Sequence, residues 1–140
     1  RPARSGGKGR DAGGELNTIA AAVLLDGEGR ILHAVVDELE AQVTADEAGV
    51  ALPGDLRTKR QKGDEDYPLS AVSGIGKSWA EQADALARHL EGMTASEVAA
   101  LKTDSEGKAE DPDLLAGCTI EIEGYRDAIA KACREAKPIA

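Results

Sequence analysis

The densest set of ligand-recognising groups in the chain is the hexapeptide Ser73-Gly74-Ile75-Gly76-Lys77-Ser78. Its glycines bare backbone N–H groups, its lysine brings a cation and its serine can open a helix, a combination that suits an anion. A complete phosphate loop also needs glycine at position 71 and a buried strand just upstream. The chain has Ala71 and Tyr67-Pro68-Leu69 there, so nucleotide hydrolysis is not expected. The expectation is narrower: Gly74, Gly76, Lys77 and Ser78 form an anion-receptive corner with the first amides of the helix that follows. The plainer alternative is that the glycines simply let a loop turn tightly. Trp79 borders this corner, either as the largest piece of an aromatic-poor core or as a platform for a flat ring. Tyr67 is a packing anchor or a hydroxyl contact to the same ligand. Lys59 belongs to a basic run with Arg57, Arg60 and Lys62 that either pairs with Asp64, Glu65 and Asp66 or clamps a phosphate or carboxylate.

Other chemistry is sparse. His33 and His89 have no Ser, Cys or carboxylate at a recognised catalytic spacing, and Glu121 and Glu123, two apart, read as a solvent-facing pair. Cys118 and Cys133 are fifteen positions apart without a C-x-x-C, so no metal site is expected; they form one disulfide or two buried thiols. The reading leans away from an enzyme.

The elements that must position these residues emerge from periodicity. Arg1 to Gly14 hold five glycines and four cations and read as a loose basic arm, leaving residues 15–140 as a single domain. Asn17–Leu25 and Ile31–Thr44 flank the turn-forming Asp26-Gly27-Glu28-Gly29-Arg30 and predict a β-hairpin. Residues 45–76 show no sustained period and read as one long loop, a feature more often functional than connecting. Ser78 and Glu81 form a capping box ahead of the stripe Trp79, Ala83, Leu86 and Leu90, with Gly92 as the stop. Thr94 and Glu97 start a short second helix, and Thr103–Glu110 is a charged loop. Asp111-Pro112 opens one helical turn, Thr119–Ile122 reads as a strand, and Tyr125, Ile129, Ala132 and Ala136 stripe a C-terminal helix. The predicted class is α+β, with helices on one face of a small antiparallel sheet that begins with the hairpin.

Composition narrows the partners. The 140 residues carry 26 acidic and 17 basic side chains, a net charge of −9, and that field repels nucleic acid and anionic lipid. The longest apolar run, Ile19 to Leu25, is seven residues, against roughly 20 for a membrane-spanning helix, so no transmembrane segment is expected. A start at Arg1 without methionine or leader is read as a mature form, an excised fragment or an engineered piece, with any export signal upstream.

Thr58, Lys59, Gly63, Asp64, Tyr67 and Leu69, followed by Ser73, Ile75, Gly76, Lys77, Trp79, Glu81 and Gln82, resemble a block of small bacterial exported proteins and lipoproteins. That block is written T-K-x-x-L-G-D-x-Y-x-M and then A-S-x-I-G-K-x-W-x-E-Q. Here Lys62 stands for its Leu, Leu69 for its Met, and one extra residue separates Asp64 from Tyr67. The similarity extends from about Asn17 to Ala136. It implies an extracytoplasmic domain of the cell envelope, on a lipid anchor or within a longer chain.

A shorter segment, Ala116-Gly117-Cys118-Thr119-Ile120-Glu121, is similar to the late S-G-A-T-x-[ST] motif of domains that bind flavin mononucleotide (FMN). Gly117 and Thr119 match; Ala116, Cys118 and Glu121 do not. The likeness implies an FMN phosphate near Thr119, which some of those domains esterify. Three readings follow: an exported non-enzymatic domain binding a small phosphate-bearing, carboxylate or flavin ligand; an FMN electron carrier; or a structural envelope domain whose loop meets another protein.

Overall fold

The computed structural model describes residues 12–139. It is an α+β fold in which a three-stranded antiparallel sheet, ordered β1-β2-β3, carries helices on one face. Strand β1 (Ala12–Leu25) and β2 (Ile31–Ala45) form the expected hairpin. Its turn is closed by Asp26, whose Oδ1 accepts the N–H groups of Glu28 at 2.8 Å and Arg30 at 2.9 Å. Gly29, at φ 78°, takes the left-handed step that a side chain would resist. The same Asp-x-x-Gly turn recurs at Asp46–Gly49 and at Asp104–Gly107.

The register pairs Val23 with Ala34, Ala21 with Val36 and Ile19 with Glu38, so these six side chains share the covered face. Helix α2 (Trp79–His89) packs on β2, and α5 (Glu123–Glu135) packs on β1 and β2. Helix α3 (Ala95–Ala99) lies on α5, and the single turn α4 (Pro112–Leu115) touches α2. The predicted stripe Trp79, Ala83, Leu86 and Leu90 is buried throughout. Both predicted capping boxes are formed, with Ser78 and Glu81 on α2 and Thr94 and Glu97 on α3. The α5 face is buried at Tyr125, Ile129, Ala130 and Cys133; Ala132, one position off that i, i+4 row, is half-buried, and Ala136 lies beyond the end of the helix at Glu135.

Three expectations change. Residues 45–76 are not one loop: they contain β3 (Ala51–Pro53), α1 (Lys59–Asp66) and a 3-10 turn at Leu69–Ala71. Helix α1, KRQKGDED, has no apolar residue and so no period to read. A capping box between Thr58 and Gln61 starts it, and Gly63 at φ 62° kinks it. Thr119–Ile122 is not a strand; it makes one isolated bridge, Lys108 to Glu121, before α5 begins. Of the expected arm, residues 1–11 lie outside the described residues. Ala12, Gly13 and Gly14 are already paired in β1.

Cys118 and Cys133 are both buried as free thiols. Burial raises both, Cys118 to about 11. Among the described residues no helix is long and apolar enough to cross a membrane.

Candidate functional site

An open cleft of about 790 Å³ lies where α1, the Tyr67–Gly74 loop, the start of α2 and the Thr119–Tyr125 segment converge on the covered face of the hairpin. Its floor is a chain of buried polar groups. Glu38 sits on β2 at an inward position and is 5% exposed. Lys59, in the first turn of α1, places Nζ 2.6 Å from Glu38 Oε1 and 3.2 Å from Glu40 Oε2. Tyr125 donates its hydroxyl to the same Glu38 Oε1, and Trp79 Nε1–H donates to the Tyr125 oxygen at 3.3 Å. The two rings meet edge to face, with centroids 5.8 Å apart.

Lys59 also stands 4.9 Å from the centre of the Tyr67 ring, and Arg60 lies 5.7 Å from that of Trp79. Arg60 is held by Asp84 at 3.0 Å and by the Val36 carbonyl at 2.8 Å, which pins α1 to both α2 and β2. This is why an entirely polar helix stays docked: its cations, not an apolar stripe, reach the sheet.

These surroundings shift the floor groups. Burial works to lower the Lys59 pKa, but the Glu38 carboxylate, with Tyr125 and Glu40, overrides it, and the ammonium is held above the ordinary lysine range. Burial, reinforced by Glu38, raises the Tyr125 phenol. Lys59 is therefore charged and Tyr125 neutral at pH 7.

Gln82, fully buried on α2, ties the two walls of the cleft together. Its Nε2 donates to Ser73 Oγ at 3.1 Å and to the Lys77 carbonyl at 3.0 Å, while its Oε1 accepts from the Thr119 N–H at 2.9 Å and the Thr119 hydroxyl at 3.3 Å. The loop ahead of it is fastened by Asp64, which accepts both the backbone N–H and the hydroxyl of Ser70. Those hydrogen bonds hold the Asp64 carboxyl below its usual range.

Of the residues singled out in the sequence, Lys59, Tyr67, Gly74, Trp79 and Thr119 line this cleft. Gly76, Lys77, Ser78 and Gly117 do not. Gly76 supplies a left-handed turn at φ 65°, and Lys77 lies 3.8 Å from Glu81. Ser78 and Glu81 cap the first amides of α2, so the chain's own carboxylate occupies the place expected for an anion. Gly117 packs against Ala85, where an added Cβ would come within 3.3 Å.

The cleft residues the sequence reading passed over are Glu38, Glu40, Asn17 and Lys108, together with Tyr125 in a polar rather than a packing role. A signal for Glu38 existed: it shares the parity of Ala34 and Val36, and a carboxylate on the apolar side of a strand must find a partner. Glu121 and Glu123, read as solvent-facing, both border the cleft. His33 and His89 lie outside its lining, with His89 Nε2 3.5 Å from Asp111 Oδ2. Comparison with protein-family models, curated proteins and solved structures gives no match to this chain.

Proposed function

We propose that the protein is a non-enzymatic binding or accessory domain exported to the cell envelope, and that its ligand occupies the Lys59–Trp79–Thr119 cleft. The observation that carries this reading is the convergence of four separated segments on one open cavity of about 790 Å³, a size that suits a small organic ligand. Its floor supports the same reading. Glu38, Lys59 and Tyr125, besides docking α1 and α5 on the sheet, all line the cleft and present polar groups to whatever enters it. The resemblance of residues 58–82 to small exported bacterial proteins supports the envelope placement.

A second reading, an FMN electron carrier, is favoured by Thr119 lining the same cavity as Tyr67 and Trp79. The charge of the lining weighs against it: Glu38, Glu40, Glu121 and Glu123 outnumber Lys59 and Lys108, and a phosphate would enter against that excess. An intact mass with an ultraviolet–visible spectrum, recorded on protein exported from a flavin-competent host, separates the two. The binding-domain reading predicts an unmodified mass and no visible bands. A mass excess of one FMN with flavin absorption, lost on Thr119→Ala, would establish the carrier instead.

A further inference from the structure

We propose that the ligand of this cleft is a small organic ammonium compound with an apolar body; the inference deepens the binding reading above and rests on it. Both donors to Glu38, Lys59 Nζ and Tyr125 OH, reach Oε1. No hydrogen bond from the described residues ends on Oε2, and Glu38 lines the cleft. On a carboxylate whose side chain is 7% exposed, an oxygen that no described residue meets is an acceptor that an N–H donor of a ligand can take.

The mouth extends the same preference. Glu121 makes no ion pair among the described residues, because Lys108, its bridge neighbour, lies 3.4 Å from Glu106 instead. Glu123 is met by the Thr103 hydroxyl at 3.4 Å and, among the described residues, by no cation. Lys59 is already committed to Glu38 and Glu40, so the lining offers acceptors in excess.

A metal ion does not fit this excess: among the described residues no three His, Cys, Asp or Glu side chains converge on one point. Spread carboxylates above apolar walls suit an ammonium carried on an organic frame, and Ile19, Leu69 and Ile120 supply those walls.

The test is a titration of the full chain with phenethylammonium, phenylacetate and FMN in parallel, followed by amide chemical shifts. Phenethylammonium should give saturable shifts at Glu38–Glu40 and Thr119–Tyr125, weakened about fivefold by the exposed pair Glu121→Gln and Glu123→Gln and weakened further by added salt. Unchanged far-ultraviolet circular dichroism of that variant excludes a folding cause. Saturation at the same amides by phenylacetate or FMN, without phenethylammonium, would overturn the ammonium assignment and leave the binding reading standing. No saturable shift from any of the three would overturn both.

Discussion

At the scale of single residues, the buried pair Lys59–Glu38 dictates the most consequential substitutions. Lys59→Ala strands Glu38 beneath α1, and breaking a buried pair from one side costs about 3–5 kcal/mol, measurable by urea denaturation at pH 7. Lys59 and Tyr125 are both raised in the folded state, from ordinary values of 10.5 and 10.0. At alkaline pH the folded chain therefore binds more protons than the unfolded one. Stability should be undiminished below about pH 10 and fall as pH climbs past it. Tyr125→Phe removes one of the two titrations, so its stability curve should fall less steeply; an unchanged slope would mean that the phenol is not held as described. Gln82→Ala strands the Thr119 N–H and frees the Ser73–Lys77 loop, at about 1–3 kcal/mol for the unsatisfied groups. Hydrogen exchange should then quicken at Thr119 and along the loop.

At the scale of elements, α1 is the weak point on which the cleft depends. It has no apolar face, so its start rests on the Thr58–Gln61 box. Thr58→Ala should cost about 1 kcal/mol and loosen Lys59 over the floor. Gly54→Ala would set a Cβ 2.8 Å from the Gln42 carbonyl, a backbone atom that cannot swing aside, so β3 should lose its pairing with β2, visible as faster amide exchange at Thr44 and Leu52. Elements were legible in the sequence where a period or a cap announced them. The hairpin, α2, α3, α4 and α5 all carry such signals, down to Thr94–Glu97 and Asp111–Pro112. Helix α1 and β3 were not legible, because KRQKGDED has no hydrophobic period and three residues are too few for alternation. Thr119–Ile122 misled in the opposite direction: its β-branched residues look like a strand, but they are drawn in by Gln82 and by the buried Ile122 at the entry to α5. The site was half legible. Lys59, Tyr67, Gly74, Trp79 and Thr119 stand out by residue type, whereas the cross-chain pairing of Glu38 with Lys59 and Tyr125 depends on a register that no local pattern shows.

At the scale of the whole molecule, one apolar core joins sheet and helices, and both thiols belong to it. Their reactivity should therefore report global opening. A thiol reagent at pH 8 should leave Cys118 and Cys133 unmodified in the native protein and label both along the urea unfolding transition; labelling of Cys118 well before that transition would show that the α4–α5 region opens separately. The fold places a charged, water-accessible cleft against this core, so binding there should stabilise the folded state and raise the unfolding midpoint with ligand concentration. Whether ligands settle in this cleft is read by amide chemical-shift mapping against a panel of small organic fragments. Saturable shifts concentrated at Lys59, Tyr67–Gly74 and Thr119–Tyr125 are expected. Saturable shifts centred elsewhere, such as around Met93–Leu101 and Glu110–Asp113, with the Lys59 cleft silent, would contradict that placement.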